Sequence, residues 1–172
     1  VVGLVLAWAD SAPPARLKRN GWWGNAACAF SYEGLAWVTG AAVMMSGAMP
    51  ESRSLALAVI YSIGAHGIMT LNDFKSIAGD KQMGIASLPV QLGVKGAAGT
   101  ACLLMGVAQV AVVVLLVLWG RPVHASAIAA LLVAQLLLMR RFLPDPVARA
   151  TWYSGLGVTR YVIGMLVEAF AL

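Results

Sequence analysis

Long apolar runs alternate with short polar segments along the whole chain. The apolar runs cover about residues 25–49, 54–71, 97–119, 123–139 and 151–172. A helix of roughly 17 to 25 apolar residues crosses the hydrocarbon layer of a bilayer, so each run is long enough to span a membrane. A shorter apolar run at residues 1–9 is the end of another helix, which Asp10 and the pair Pro13-Pro14 stop. The pattern predicts an all-α, polytopic bundle of transmembrane helices.

The composition strengthens this prediction. Hydrophobic residues make up 60% of the chain, charged residues make up 11%, and the mean hydropathy is +0.82. Because a helix satisfies its own backbone hydrogen bonds in hydrocarbon, the values favour a helical membrane protein over a soluble one. The two cysteines, Cys28 and Cys102, have no partner motif nearby, and we expect them to be inert buried thiols.

The domain organisation follows from the same pattern. No soluble domain or repeat separates the apolar runs, and the chain begins at Val1, without Met, inside a run too short to span. We expect residues 1–172 to form a single transmembrane domain that is the C-terminal part of a larger domain.

Lysine and arginine are distributed unevenly between the loops. The first, third and fifth loops hold nine of them: Arg16, Lys18, Arg19, Lys75, Lys81, Lys95, Arg140, Arg141 and Arg149. The second and fourth loops hold only Arg53 and Arg121. Since basic loops stay on the cytoplasmic side, the first and third loops are predicted to share the cytoplasmic face. The net charge of +5 therefore reports topology and not binding to nucleic acid.

The third loop covers residues 72 to about 95, and its first part, residues 72–89, carries the most distinctive chemistry. We call residues 72–89 the organising loop, or the aspartate loop after Asp73 and Asp80. If residues 66 to 80 continue as one helix, His66, Thr70, Asp73, Ser76 and Asp80 share a face. Asp73 and Asp80 would then lie about 10 Å apart along the helix axis. Such carboxylates suit Mg²⁺, which binds one or two of them together with substrate phosphates. The alternative is that both are solvated charges paired with Lys75 and Lys81. In that case the first loop, which carries Arg16, Lys18 and Arg19 and which we call the basic loop, anchors to anionic lipid. Spacing alone leaves both open.

Four stretches resemble a known family, in the same order along nearly the whole chain. They are SAPPARLKRNGWWGN, YEGLAWVTGAAVM, NDFKSIAGDKQMGIASLPVQLG and WYSGLGVTRYVIGMLVEAFAL. They are similar to the UbiA superfamily of intramembrane prenyltransferases, in its chlorophyll and bacteriochlorophyll synthase branch. The resemblance implies a nine-helix fold around a central cavity, Mg²⁺-dependent binding of a geranylgeranyl or phytyl diphosphate, and esterification of the propionate of a chlorophyllide-type pigment.

The resemblance also implies roles for individual residues. Asp73 and Asp80 become the catalytic carboxylates that hold Mg²⁺ and diphosphate. The implied diphosphate contacts are Arg16, Lys18, Arg19 and Lys81. Many members have an aspartate in place of Ser76, an acid is expected in place of Ala78, and ADSAPP replaces a tyrosine-containing lead-in. The family's other aspartate-rich motif is absent from the 172 residues, so we expect them to be inactive by themselves.

Polar residues within the apolar runs give weaker expectations. Tyr32, Glu33 and His66 are candidate pigment contacts, with His66 as a possible ligand of the central metal of the macrocycle. The plainer expectation is that Glu33 pairs with Arg160 and that His66 bonds to a neighbouring group.

Two other functions stay open at this point. One is a UbiA-type prenyltransferase for a quinone, and the other is a small transporter or channel subunit in which Asp73 and Asp80 gate ions. The expected location is a bacterial inner or intracytoplasmic membrane, with the active site facing the cytoplasm.

Overall fold

The computed structural model describes all 172 residues, and they form helices without a β-sheet. The helices are α1 (Val2–Ser11), α2 (Gly21–Ala29), α3 (Ala36–Met44), α4 (Ser52–Asp73), α5 (Ile77–Gln82), α6 (Leu88–Leu118), α7 (Pro122–Phe142), α8 (Pro146–Tyr153) and α9 (Thr159–Ala169). A 3₁₀ turn at Leu17–Arg19 precedes α2. The all-α fold predicted from the hydrophobic pattern is confirmed.

Three helices are long and apolar enough to cross a membrane. They are α4, α6 and α7, which match the runs predicted at 54–71, 97–119 and 123–139. The two other predicted runs are helical but not uniform. A π-helical segment, Phe30–Leu35, joins α2 to α3, and a second one, Ser154–Val158, joins α8 to α9. Segments of π-helix are uncommon and often lie at functional sites.

The predicted continuous helix through residues 66–80 is wrong. α4 ends at Asp73, and α5 begins only at Ile77. Between them Phe74 is buried, with its ring packed edge-on against Phe142 at a centroid distance of 6.1 Å. We attribute the turn to this packing, which draws the chain toward α7 and gives Asp73 and Asp80 separate helices.

α6 also begins earlier than the sequence suggested. Ser87 precedes the helix, and Pro89 occupies its first turn, where a missing backbone N–H is tolerated. Gly93 interrupts α6 with a φ of 71°, a conformation that favours glycine. The segment between α4 and α6 is therefore residues 74–87, and it contains the short helix α5.

The core forms where α4 packs between α2 and α6. Gly67 of α4 lies against the backbone of α6, since a Cβ at this position would be 2.5 Å from the carbonyl oxygen of Ala101. The core includes Leu57, Met105 and Ile128, none of which is exposed. Small residues thus let the helix backbones approach closely, as is common in membrane bundles.

A buried polar cluster links α4 to α9. The hydroxyl of Tyr61 donates to Oε1 of Glu168, and the hydroxyl of Tyr161 donates to the carbonyl oxygen of Tyr61 at 3.3 Å. The expected pairing of Glu33 with Arg160 is wrong, because the Arg160 guanidinium donates to the carbonyl oxygen of Leu156. That carbonyl lies one turn earlier on the same helical segment, so the guanidinium is satisfied locally.

Candidate active site

The basic loop leads directly into α2. Arg16 has a φ of 41°, in the left-handed region, and the 3₁₀ turn that follows carries Lys18 and Arg19. Asn20 caps α2, because its Oδ1 accepts from the backbone N–H of Trp22 at 2.9 Å. Three cationic side chains are therefore held just before the first turn of α2.

Two backbone hydrogen bonds join the basic loop to the organising loop. The N–H of Ala86 donates to the carbonyl of Arg19 at 2.9 Å, and the N–H of Gly21 donates to the carbonyl of Ala86 at 2.7 Å. They form an isolated parallel β-bridge between Asn20 and Ala86. The prediction that the two loops lie on the same side of the bundle is confirmed.

Asp73 is held by a side chain from α2. The Nδ2 amide of Asn25 donates to Oδ2 of Asp73 at 3.0 Å and also lies 3.3 Å from the hydroxyl oxygen of Thr70. Since an ionised carboxylate offers about four acceptor positions, Asp73 retains capacity for a cation.

Asp80 lies on the short helix α5 and is 7% exposed. Its Oδ2 accepts from the hydroxyl of Ser76 at 2.8 Å. The alternative of a solvated surface charge is therefore wrong for Asp80. The same hydroxyl lies 3.2 Å from the backbone carbonyl oxygen of Asp73, so Ser76 brings the two aspartate residues close together.

The neighbouring lysines do not neutralise these acids. Lys75 contacts the side-chain oxygen of Asn72 at 3.5 Å, and Lys18 contacts the hydroxyl of Ser11 at the same distance. Lys81 is exposed. Arg16 and Arg19 line a cavity of about 280 Å³ beside the two prolines and Trp23. Neither aspartate lines that cavity, so the structure joins the two loops without placing the arginines against the carboxylates.

The donor set fits a metal shared with a substrate. No three groups among histidine, cysteine, aspartate and glutamate are clustered well enough to hold an ion by themselves. Two carboxylates with acceptor capacity are what Mg²⁺ requires from a protein when phosphate oxygens and water supply its other ligands. Asp73 and Asp80 therefore fit Mg²⁺ in a complex with diphosphate.

The candidate pigment residues are not brought together. His66 is buried, and its Nε2 lies 3.1 Å from the carbonyl oxygen of Trp22, which can only accept, so Nε2 is the donor. The Nδ1 atom is also buried and has no partner. The plainer expectation for His66 is thus confirmed, and neither ring nitrogen is presented to a ligand.

A groove of about 340 Å³ runs beside His66. Its walls include Trp22 and Phe30 of the α2 region and Val59 and Ser62 of α4. Tyr32 is exposed and Glu33 is half-buried in the π-helical segment, and neither lines the groove.

Sequence reasoning missed Asn25 and Trp22. Asn25 is 9% exposed and contacts Asp73, yet in the sequence it is one polar residue among glycines and alanines. The only signal available was an amide within an apolar run, which is costly to bury unless it is hydrogen-bonded.

A helical membrane bundle in which a basic loop and an aspartate loop are joined is the arrangement expected of an intramembrane prenyltransferase. Residues 1–157 match the UbiA prenyltransferase family, and the chain belongs to this family.

Proteins with related sequences have consistent names. The chain is 56% identical to the bacteriochlorophyll synthase 33 kDa chain of Cereibacter sphaeroides over 172 residues, which is 100% of this chain and 57% of that protein. It is 50% identical to the bacteriochlorophyll synthase 34 kDa chain of Chloroflexus aurantiacus, over 99% of this chain and 54% of that protein. It is 37% identical to the chloroplastic chlorophyll synthase of Oryza sativa, over 99% of this chain and 45% of that protein. The chain thus spans about half the length of these relatives, from 45% to 57%. No solved structure matches it.

Proposed function

We propose that the chain acts within a Mg²⁺-dependent intramembrane prenyltransferase of chlorophyll or bacteriochlorophyll biosynthesis. The reaction is esterification of the propionate of a chlorophyllide or bacteriochlorophyllide with a geranylgeranyl or phytyl group from its diphosphate. The observation that carries the proposal is the β-bridge that joins the basic loop to the aspartate loop. The names of the relatives, which are 37% to 56% identical, support the choice of substrates.

The aspartates and the basic residues have complementary roles. Asp73 and Asp80 hold Mg²⁺, which when bound supplies positive charge to the diphosphate. Arg16, Lys18, Arg19 and Lys81 offset the remaining negative charge of the phosphates, and the arginines are suited to this because their planar fork engages two oxygens. Charge that builds on the departing diphosphate meets groups that are already in place.

The acceptor needs no strong general base. A propionic acid group is ionised at neutral pH, because the pKa of an ordinary carboxyl group is about 4. One carboxylate oxygen forms the new C–O bond to the allylic C1 of the donor, and the bond from C1 to the diphosphate oxygen breaks with its electrons on the diphosphate. The two aspartates of the site are therefore free to hold the cation.

The pigment is proposed to lie on the membrane side of the aspartates. The groove beside His66 offers aromatic and aliphatic walls, as ligand sites commonly do. Tyr32 and Glu33 are proposed as polar contacts from the neighbouring π-helical segment.

The proposed setting is a bacterial inner or intracytoplasmic membrane. Residues 1–172 form a single transmembrane domain within a larger prenyltransferase domain, and the two joined loops face the cytoplasm. The excess of basic residues in these loops supports this orientation.

The proposal is tested with the full chain, meaning the longer protein that contains residues 1–172, in native membranes supplied with bacteriochlorophyllide, geranylgeranyl diphosphate and Mg²⁺. Chromatography with mass detection should show the esterified pigment, and EDTA should abolish it. Prenylation of an aromatic acid without esterified pigment would favour a quinone-type enzyme. Ion flux in liposomes without any prenyl transfer would favour a channel.

A further inference from the structure

We infer that Asn25 is a positioning residue for Asp73 and thereby for the cation site. The inference rests on the proposed function. Asn25 lies on α2, away from the aspartate motif in the sequence, and is 9% exposed. One amide group reaches both Oδ2 of Asp73 at 3.0 Å and the hydroxyl oxygen of Thr70 at 3.3 Å. Both contacts lie on α4, so Asn25 links the helix after the basic loop to the helix that ends in the aspartate.

The place of Asn25 is fixed by backbone contacts on both sides of α2. A Cβ on Gly21 would lie 2.5 Å from the backbone nitrogen of Leu88. A Cβ on Gly24 would lie 2.9 Å from the Cα of Lys18. α2 therefore packs against both loops, and the glycines at positions 21 and 24 allow this close contact. The amide of Asn25 is therefore held beside Asp73 by a helix that lies against both loops.

The chemistry of an amide suits this role. A neutral N–H donor orients a carboxylate without cancelling its charge, whereas lysine or arginine at the same position would compete with a divalent cation. Residues that hold a metal ligand in this way usually change metal affinity by about 10- to 100-fold when they are removed. Thr70 is the other partner of the amide and also donates to the carbonyl oxygen of His66 at 2.9 Å. The side-chain amide of Gln109 on α6 is also buried but has no hydrogen-bond partner, so Gln109 offers a matched control for the loss of a buried amide.

The test measures binding of Mn²⁺ to the detergent-solubilised full chain in the presence of inorganic pyrophosphate, by electron paramagnetic resonance. Asn25→Leu keeps the size of the side chain and removes its donors, so its Kd for Mn²⁺ should rise by about 10- to 100-fold. Asn25→Gln keeps an amide and should recover part of the affinity. Gln109→Leu makes the same kind of change at a buried amide that has no partner, so its Kd should stay within about twofold of the parent.

The outcomes separate this inference from the proposed function. A parent protein that binds no Mn²⁺ with pyrophosphate would overturn the proposed function. A parent that binds Mn²⁺ and an Asn25→Leu protein with unchanged Kd would overturn only the inference. Equal losses in Asn25→Leu and Gln109→Leu would also overturn it, because a general packing defect would then explain both. If Asn25→Leu elutes as an aggregate, Asn25→Ala suits the alanine-rich α2 and carries the same expectation, and an unchanged Kd in that variant overturns the inference.

Discussion

The hydroxyl of Ser76 donates to Oδ2 of Asp80 at 2.8 Å, across the first turn of α5. Ser76 stands where many UbiA members carry an aspartate, so a hydrogen-bond donor here takes the place of a further acid. The carboxylate of Asp80 is oriented by its own helix. Asp73 is oriented from a different helix, by Asn25.

Asp80→Asn should lower prenyl transfer by about 10²- to 10³-fold, the scale for losing one preorganised electrostatic contact. The amide keeps the shape of the side chain and can still accept from Ser76, so the protein should insert and extract like the parent. Turnover of the esterified pigment at limiting and at excess Mg²⁺ checks this, and excess Mg²⁺ should restore part of the activity. Near-normal turnover at limiting Mg²⁺ would contradict the assignment.

Ser76→Ala should have a smaller effect than Asp80→Asn. It removes one hydrogen bond, which contributes about 1 kcal/mol, and leaves the charge of Asp80 in place. We expect the Mg²⁺ concentration for half-maximal activity to rise several-fold while the rate at saturating Mg²⁺ stays close to that of the parent. An equal fall in rate at every Mg²⁺ concentration would argue against a role in orienting Asp80.

Replacing Arg16, Lys18 or Arg19 singly by Gln should raise the KM for the prenyl diphosphate more than the KM for the pigment. Arg16 and Arg19 should matter most, because a guanidinium engages two phosphate oxygens at once. Steady-state kinetics with each substrate varied in turn measure both constants. Parallel changes in the two constants would point to a role in folding instead.

Gly21→Ala should separate the two loops. Its added Cβ would lie 2.5 Å from the nitrogen of Leu88, which is backbone and has little freedom to move. Brief trypsin treatment, followed by mass spectrometry, should show faster cleavage at the lysines and arginines of both loops. Gly99→Ala is the matched control, because nothing lies within 4 Å of a Cβ there. Faster cleavage in both variants, or in neither, would show that the bridge does not depend on Gly21.

The orientation of the bundle can be tested with single cysteines in a background lacking Cys28 and Cys102. Met83 is 68% exposed and lies in the organising loop, whereas Ser87 of the same loop is buried at 4% exposure and is unsuitable for labelling. Met83→Cys should react with an impermeant maleimide only from the cytoplasmic side. Met49→Cys, at a position that is 72% exposed on the opposite loop, should react only from the other side. The reverse pattern would overturn the topology drawn from the basic residues.

The sequence predicted those features that depend on local composition. Hydropathy alone located α4, α6 and α7, because a span is defined by its own residues. The location of the two loops on the same side followed from charge, since basic residues sort loops by side. Both arguments use information that each segment carries by itself.

Contacts between distant segments were beyond such reasoning. The turn after α4 depends on Phe74 packing against Phe142, and no sequence pattern around Phe74 predicts this contact. Asn25 is important because of Asp73, which a local reading of α2 does not include. The left-handed φ of Gly93 likewise has no signature that distinguishes it from the other glycines.

The β-bridge between Asn20 and Ala86 also bears on how the protein is made. Asn20 leaves the ribosome before α4 exists, and Ala86 follows only after the chain has passed through α2, α3, α4 and α5. Contacts between such distant segments form late, because the intervening chain must first be ordered. The site therefore assembles only when α2, α3, α4 and α5 have formed. A chain arrested before Ala86 carries a basic loop that lacks its hydrogen-bond partner.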